Sequence, residues 1–259
     1  MAHEFAKVDR KGRLTVVTLN RPEVMNALHS PAHFELHRVF DDFANDPEQW
    51  VAIVTGAGDR AFSAGNDLKC QAAGGKRGWD RSGFGGLTER FDCDKPIIAA
   101  VNGVAMGGGF EIALACDLII AAENAVFALP EPKVGLAALA GGLHRLPRQI
   151  GLKRAMGMIL TGRHVSAKEG FALGFVNEVV PKGEALAAAE RWANVILQNG
   201  PMSIRASKQA AHRGLGVSLE QAMAEQREYP AVRALAASED FVEGPKAFAE
   251  KRPPQWKGK

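Results

Sequence analysis

The sequence predicts an α/β fold, and two observations support this prediction. Up to Gly200, short apolar runs rich in Val, Ile, Leu and Ala alternate with helical patterns. After Gly200, no strand alternation remains and the pattern is helical to the end of the chain. Strands alternating with helices, followed by helices alone, indicate an α/β core with a helical appendage.

The core strands are predicted from compact apolar segments bounded by turn residues. They lie at residues 13–20, 51–55, 97–101, 118–121 and 175–180. The first helix is predicted to begin at Ser30-Pro31, because a capping residue followed by proline favours the first turn of a helix. Leu36, Val39 and Phe43 recur at helical spacing and form its apolar face.

Two further helices are predicted from their ends. The glycines 107–109 open one helix, so their backbone amides lie at a helix N-terminus, where N–H donors are free to bind an anion. The capping box Ser166-Ala-Lys-Glu169 begins the other helix, and Gly174 ends it. A third helical stretch is predicted from about Pro181 onward.

The helical appendage is predicted from its patterns at 202–213, 218–237 and 239–251. We therefore expect a core over residues 1–200 and a helical region over residues 201–259. Helices added to a complete core often mediate assembly, so this region is the expected oligomerisation surface.

Composition excludes several classes of protein. The formal net charge of +3 gives no electrostatic argument for nucleic acid or a membrane surface, so neither partner is expected. The N-terminal residues 1–6 lack the charged and apolar regions of a signal peptide, and the expected location is cytoplasmic. The three cysteines, Cys70, Cys93 and Cys116, are far apart and fit reduced thiols better than a disulfide framework.

Two glutamates are the candidate catalytic residues. Glu111 follows Gly108 by three residues and shares its helix face, so its carboxyl group can lie near a group bound by the Gly108 amide. Glu131 is held between Pro130 and Pro132. Two placed carboxyl groups suggest acid-base chemistry, although each feature taken alone also fits a turn or a solvated loop.

Three segments in order give the sequence a family resemblance. They are Ala61-Phe-Ser-Ala-Gly-Asn-Asp-Leu68, Asn102-Gly-Val-Ala-Met-Gly-Gly-Gly-Phe-Glu111 and Phe127-Ala-Leu-Pro-Glu131. Together they resemble the crotonase, or enoyl-CoA hydratase/isomerase, superfamily, and the match covers essentially the whole chain. The resemblance implies a spiral of ββα units, C-terminal helices that build trimers or dimers of trimers, and a coenzyme A thioester substrate.

The resemblance also implies roles for individual residues. The backbone amides of Ala64 and Gly108 are expected to form an oxyanion hole, with Glu111 as general base and Glu131 as general acid for hydration of a 2-enoyl-CoA. No metal or other cofactor is expected, because coenzyme A belongs to the substrate. The expected contacts of substrate and coenzyme A are Ala27, Asp67, Leu68, Phe248 and Lys251.

Alternatives within the family stay open. The segment Gly65-Asn-Asp-Leu-Lys69 and the C-terminal residues 247–259 resemble the carnitinyl-CoA dehydratase branch, and isomerases share the same oxyanion hole. One departure lies after Gly135, where residues 136–140 read Leu-Ala-Ala-Leu-Ala in place of a proline and a polar or small residue. Because this stretch is apolar, a substrate with a simple apolar acyl chain is at least as well supported as a substrate that carries a trimethylammonium group.

Other readings concern different classes of protein. A non-catalytic acyl-CoA-binding protein would keep the fold, but retention of both glutamates argues against it. His33, His37 and Asp41 share a helix stripe and suggest a metal site, although the spacing is common and a solvated helix face explains it more simply. The glycine-rich loop 74–86 lacks the ending of a phosphate-binding loop, and its Trp79 and Phe84 are candidates for acyl specificity.

Overall fold

The computed structural model describes residues 3–75 and 78–259, and it confirms the α/β prediction. Residues 1–2 of the N-terminal segment and 76–77 of the glycine-rich loop lie outside the described residues. The strands are β1 (Ala6–Lys11), β2 (Leu14–Leu19), β3 (Val51–Gly56), β4 (Ala61–Ser63), β5 (Ile97–Val101), β6 (Val104–Met106), β7 (Leu118–Ala122), β8 (Val126–Ala128), β9 (Val165–Ser166) and β10 (Glu178–Val180). The α-helices are α1 (Ser30–Asn45), α2 (Leu68–Ala72), α3 (Gly108–Ala115), α4 (Gly142–Ile150), α5 (Leu152–Thr161), α6 (Ala167–Leu173), α7 (Ala185–Leu197), α8 (Pro201–Gly214), α9 (Leu219–Glu225), α10 (Pro230–Ala236) and α11 (Glu239–Ala249).

The strands form two sheets. The larger sheet has six strands in the order β1-β2-β3-β5-β7-β10, and the smaller has four in the order β4-β6-β8-β9. Only the pairs β1–β2 and β8–β9 are antiparallel, and every other pair in these sheets is parallel. Strands buried on both faces explain the continuous apolar runs of the sequence.

The chain winds from one sheet to the other as a spiral. Each of β3, β5 and β7 in the larger sheet is followed directly by β4, β6 and β8 in the smaller one. A helix then returns the chain to the larger sheet, as α3 does between β6 and β7. This repetition is the ββα spiral that the family resemblance implied, and its main consequence is that β4, β6 and β8 lie side by side.

Two apolar layers hold the spiral together. One lies between the sheets and includes the mutually packed rings of Phe110, Phe127 and Phe175, with centroids 5.1–5.2 Å apart. The other lies where α7 packs on the outer face of β3, β5 and β7 through Ala188 and Ala189. The rigid inner layer fixes α3, which carries Phe110 and Glu111.

Several predicted boundaries need correction. His29, not Ser30, is the N-cap of α1, and the Ser30 hydroxyl instead donates to the Gly78 carbonyl oxygen at 2.9 Å. The strand predicted at 175–180 is shorter, because Phe175 and Val176 pack into the core before β10 begins. The capping box is confirmed: the Ser166 hydroxyl accepts from the Glu169 amide, and Gly174 ends α6 in the left-handed conformation.

The C-terminal region is helical, but the helix predicted at 218–237 is broken. A 3-10 turn at Gln226–Glu228 separates α9 from α10, because Pro230 has no amide hydrogen to continue the ladder. Helix α8 is fastened to the core by Lys208, whose ammonium lies 2.8 Å from both Asp117 Oδ2 and the Lys95 carbonyl oxygen. Within the described residues, no helix is long and apolar enough to cross a membrane.

Candidate active site

Three neighbouring strands end at the same place in the smaller sheet. Because β4, β6 and β8 are adjacent and parallel, the segments that follow them emerge side by side. These segments are residues 64–67, the glycines 107–109 and the turn that begins at Glu131. The carboxyl ends of parallel strands are the usual location of ligand sites in α/β proteins. The topology thus gathers the sequence-predicted segments at one site.

Two segments at this site each contribute a backbone amide that has no acceptor within residues 3–75 and 78–259. One is the amide of Gly108 at the N-terminus of α3, and the other is the amide of Asn66. The Asn66 amide points away from the neighbouring segment, since that segment pairs with the flanking Gly65 carbonyl and Asp67 amide through Leu28. Two free donors at a helix N-terminus and a strand end form an anion-binding concavity.

Ala64 does not fit the predicted role of oxyanion donor. Its amide donates to the Met25 carbonyl oxygen at 2.9 Å and is therefore already engaged. Gly65, which lies between the two residues, has φ +87° and interrupts the extended backbone, and the amide left without a partner is that of Asn66. No sequence signal distinguished these two positions, because both flank Gly65 within the same motif.

Gly65 and Gly109 allow the two segments to approach each other. A Cβ atom on Gly65, which has φ +87°, would lie 2.5 Å from the Met106 carbonyl oxygen and 2.9 Å from the Gly108 nitrogen. A Cβ atom on Gly109 would overlap the Ser63 carbonyl oxygen. Only glycine permits this close backbone approach, which sets the separation of the Asn66 and Gly108 amides.

Glu111 lies on the first turn of α3 and is 3% exposed. Burial raises the pKa of its carboxyl group to about 7, and the nearby negative charge of Glu131 also favours the protonated form. The Gly142 amide opposes this shift by donating to Glu111 Oε1 at 2.8 Å. Gly142, which the sequence analysis did not assign to the site, therefore orients the carboxyl group from the N-terminus of α4.

Glu131 begins a 3-10 turn, Glu131–Val134, directly after β8. Its Oε2 atom is buried and has no hydrogen-bond partner among the described residues. Its Oε1 atom lies against Gly107, where a Cβ atom would approach it to 2.7 Å. Burial raises the pKa of Glu131. A desolvated carboxyl group with an unused oxygen can bind and transfer a proton.

The predicted contacts Ala27, Asp67 and Leu68 lie together next to Asn66. Arg21, which was not among the predicted site residues, joins two of them: its guanidinium donates to the Ala27 carbonyl oxygen at 2.6 Å and to Asp67 Oδ2 at 3.0 Å. Asp67 Oδ1 also caps α2 through the Cys70 amide. Both carboxylate oxygens of Asp67 are thus occupied by hydrogen bonds within the protein. Leu68, in contrast, is 43% exposed.

Phe248 and Lys251 lie elsewhere in the chain. Phe248 is 87% exposed on α11, and Lys251 is exposed just after this helix. Helix α11 packs against α8 and α10 rather than against α3 or the turn of Glu131. Within a single chain, the fold does not bring these two residues to the glutamates.

The stripe of His33, His37 and Asp41 does not converge on one point. His33 Nδ1 accepts from the Gly85 amide at 3.1 Å, while His37 Nδ1 lies 2.7 Å from the Ser82 hydroxyl and its Nε2 3.3 Å from Asp41 Oδ2. Among the residues that the structure describes, no group of three or more His, Cys, Asp or Glu side chains is arranged to hold a metal ion. The stripe instead attaches α1 to the loop that carries Phe84.

We predict that Glu111→Gln stabilises the protein at alkaline pH. Because the folded-state pKa of Glu111 is raised from 4.5 to about 7, the native protein binds the proton more tightly than the unfolded chain. The wild type therefore loses stability as the pH rises from about 4.5 to about 7, by roughly 3 kcal/mol, whereas the neutral Gln variant avoids this loss.

Urea unfolding at pH 5 and pH 8.5 measures this difference. Relative to the wild type, the free energy of unfolding of Glu111→Gln should increase from pH 5 to pH 8.5. The free energy of unfolding of the control Glu220→Gln, on the exposed α9, should stay within about 0.5 kcal/mol of the wild type at both pH values. An equal difference between Glu111→Gln and wild type at the two pH values would contradict a buried, raised-pKa carboxyl group.

Comparisons with known proteins agree with this geometry. The family model described as enoyl-CoA hydratase/isomerase matches residues 9–259. A protein of Salmonella arizonae named carnitinyl-CoA dehydratase is 44% identical over 262 residues, covering 98% of this chain and 99% of the relative.

Two solved structures extend the comparison to three dimensions. The enoyl-CoA hydratase of Mycobacterium tuberculosis has a TM-score of 0.92 at 40% identity, covering 98% of this chain and 99% of that one. The carnitinyl-CoA hydratase of Mycobacterium avium has a TM-score of 0.79 at 41% identity and covers all of both chains. The similarity spans the core and the C-terminal helices alike.

Proposed function

The chain belongs to the enoyl-CoA hydratase/isomerase family, and from this premise we propose that it is a hydro-lyase that adds water across the C2=C3 double bond of a 2-enoyl-CoA thioester, or eliminates it. The resemblance drawn from the motifs is thereby confirmed. One observation carries the proposal: two carboxyl groups with raised pKa values lie beside two free backbone amides at the ends of adjacent strands.

The free amides of Asn66 and Gly108 are proposed to hold the thioester oxygen. When hydroxide adds at C3, negative charge collects on this oxygen, and fixed donors stabilise it without reorganisation. The positive end of the α3 dipole adds to the effect. In this proposal Asn66 replaces Ala64 as the first oxyanion donor, and Gly108 remains the second.

The glutamates are proposed to move the two protons of the reaction. Glu111 removes a proton from water, whose oxygen bonds to C3, and Glu131 delivers a proton to C2, so one molecule of water is consumed. A pKa of about 7 lets Glu111 take up and release a proton at neutral pH, and burial also raises the pKa of Glu131 above its ordinary value. In dehydration the same groups exchange roles. Hydration leaves the oxidation level of the substrate unchanged, so the proposed mechanism involves no redox step.

A second candidate is dehydration of carnitinyl-CoA. It is favoured by the 44% identity to a protein of that name. The apolar stretch that begins at Leu136 argues for a simple acyl chain instead, since the Leu136 amide donates to the Glu131 carbonyl oxygen and so ties this stretch to the turn that carries the acid. An isomerase needs only one carboxyl group to shuttle a proton, so two placed carboxyl groups favour the hydro-lyase.

The direct test is loss of enoyl-thioester ultraviolet absorbance when the purified protein meets crotonyl-CoA. Rapid loss that requires the wild-type protein would support the hydro-lyase. The rate with crotonobetainyl-CoA, measured in parallel, would show which of the two candidate functions the protein favours. No loss with any 2-enoyl-CoA, in either direction of the reaction, would overturn the proposal.

We also propose that residues 201–259 form an oligomerisation region on the core 1–200, giving a trimer or dimer of trimers in the cytoplasm. Large apolar side chains of this region are exposed in the single chain, among them Leu215 and Leu219 at 79% and Val242 at 67%. Such surfaces are typical of protein interfaces. A neighbouring chain could then bring Phe248 and Lys251 to coenzyme A.

We predict that sedimentation velocity at micromolar concentration yields a mass of at least three times the 27.7 kDa chain. Leu219→Asp should shift the population toward monomer, because it places a charge on the exposed apolar surface. The matched substitution Leu152→Asp, at an exposed leucine of the core, should leave the mass unchanged. A wild-type monomer would contradict the proposed assembly.

A further inference from the structure

Arg145 lies at the end of the first turn of α4, the helix whose N-terminal amide binds Glu111. A Cβ atom on Gly141 would overlap Arg145 Nη1, whereas a Cβ atom on Gly142 would lie 3.0 Å from Glu111 Oε1. The guanidinium therefore contacts one residue of this backbone segment, and the carboxyl group contacts the next. The two successive glycines leave the space that both charged side chains occupy.

Two contacts with the loop that follows Phe84 fix the guanidinium of Arg145. Its Nη2 atom donates to the Thr88 carbonyl oxygen at 2.8 Å, and its Cζ atom lies 5.8 Å from the ring centroid of Phe91, within the range of a cation–π contact. Both of these partners are neutral, so neither cancels the positive charge. Burial lowers the pKa of Arg145, but a guanidinium keeps its charge at neutral pH.

Glu111 is the buried carboxyl group that this charge faces. Glu89 also faces Arg145, but its side chain is exposed, and solvent screens the interaction. The thiol of Cys116 faces Arg145 as well, but burial raises the pKa of this thiol, which carries no charge at neutral pH. The positive charge of Arg145 is therefore available to Glu111.

Glu131 and Arg145 are the two charged side chains that act most on Glu111, and they act in opposite directions. Burial is the main cause that raises the pKa of Glu111, and the charge of Glu131 adds to it, whereas the charge of Arg145 lowers this pKa. Besides α4, the elements that pack most closely against α3 are β4, β6 and the turn Phe84–Gly86, and none of them carries a titratable side chain. Without Arg145, only backbone hydrogen bonds would oppose protonation of Glu111.

We propose that Arg145 is a positioning residue for proton transfer, whose guanidinium, held against Gly141, stabilises the ionised Glu111 carboxylate that takes the proton from water. This inference rests on the proposed function, and Arg145 acts on the reaction only through Glu111. A protonated base cannot accept a proton from water, so the opposing charge increases the fraction of the protein that is ready to react.

Substitutions at Arg145 separate its charge from its hydrogen bond. Arg145→Gln and Arg145→Met both remove the charge, and the glutamine keeps a side-chain amide that can donate to the Thr88 carbonyl oxygen. Arg145→Lys keeps the charge on a different head group. The matched control is Arg148→Gln, nearly one turn further along α4, because Arg148 is exposed and donates to the His144 carbonyl oxygen instead.

Infrared difference spectroscopy follows the carboxylic C=O band of Glu111 during a pH titration and requires no turnover. The band is identified by its absence in Glu111→Gln. We expect a midpoint of about 7 in the wild type and in Arg148→Gln. In Arg145→Gln and Arg145→Met the midpoint should be higher by about one pH unit, the effect of one partly screened charge, and Arg145→Lys should restore it to within about half a unit of the wild type.

The pH dependence of kcat/KM for crotonyl-CoA hydration gives a second readout. Because a higher pKa leaves less of Glu111 ionised, the kcat/KM of Arg145→Gln should be about fivefold below that of the wild type at pH 7 and should approach the wild-type value at pH 9. A loss by the same factor at every pH would indicate structural damage alone and would overturn the role of Arg145.

The two readouts separate this inference from the proposed function. Crotonyl-CoA hydration, together with the wild-type infrared midpoint in both neutral variants of Arg145, would overturn the role of Arg145 and leave the hydro-lyase intact. An equally raised midpoint in Arg145→Lys and Arg145→Gln would also overturn it, because the charge would then not be the cause. A raised midpoint in the neutral variants alone, in a protein that hydrates no 2-enoyl-CoA, would confirm the action of Arg145 on Glu111 and overturn the proposed function.

Discussion

Replacing either glutamate by glutamine is expected to lower kcat for hydration by a factor of about 10² to 10⁴, the usual contribution of a positioned acid or base. Glu111→Gln removes the group that takes the proton from water, and Glu131→Gln removes the group that delivers a proton to C2. Glutamine keeps the shape and can still accept from the Gly142 amide at position 111. Thioester binding should therefore change little.

The double variant sharpens this prediction. Because the two carboxyl groups act in one reaction, the double substitution should be scarcely slower than the worse single one. Glu220→Gln, on the exposed α9, is the matched control and should keep wild-type turnover. Normal kcat in both single variants would contradict the proposed mechanism, whereas a loss confined to binding would reassign the glutamates as positioning residues.

Gly65→Ala is expected to lower kcat/KM by a factor of about 10² to 10³, comparable to the loss of one oxyanion donor. The added Cβ atom would lie 2.5 Å from the Met106 carbonyl oxygen and 2.9 Å from the Gly108 nitrogen. Both are backbone atoms, so the segments that follow β4 and β6 must separate. This movement pulls apart the Asn66 and Gly108 amides that the thioester oxygen needs together.

Gly174→Ala separates this effect from backbone strain alone. Gly174 also has a positive φ, +98°, but a Cβ atom there meets nothing within 4 Å. The control should lose about 1 to 2 kcal/mol of stability, the cost of alanine in the left-handed region, and keep its kcat/KM. Equal losses of kcat/KM in the two variants would show that strain, and not the separation of the amides, governs activity.

The long buried strands could be predicted from the sequence because composition determines them. Ile97–Val101 is uniformly apolar and buried on both faces, and its predicted bounds agree with β5. The strands β4, β6 and β8 have only three residues each, too few for any periodicity. Their existence depends on pairing with one another, which is a property of the folded spiral.

Only part of the candidate site could be predicted, because local spacing determines some of its contacts and long-range pairing determines the others. Glu111 and Gly108 share a helix turn, so local spacing was sufficient to bring them together. The choice between Ala64 and Asn66 depends on which amide residues 25–28 leave free, because the Met25 carbonyl oxygen accepts from Ala64 whereas Leu28 pairs only with the residues that flank Asn66. The Gly142 amide reaches Glu111 across 31 residues of sequence, a contact that no local pattern specifies.

The central claim is that this site adds water across C2=C3, and isotopic labelling tests it most directly. The protein is given 2-hexenoyl-CoA in H₂¹⁸O and, separately, in D₂O, and the product of early turnover is analysed by mass spectrometry and NMR. Our account predicts a 3-hydroxyacyl-CoA with one solvent oxygen on C3 and one solvent deuterium on C2. Deuterium without solvent oxygen, together with a double bond moved to C3=C4, would contradict hydration and identify an isomerase.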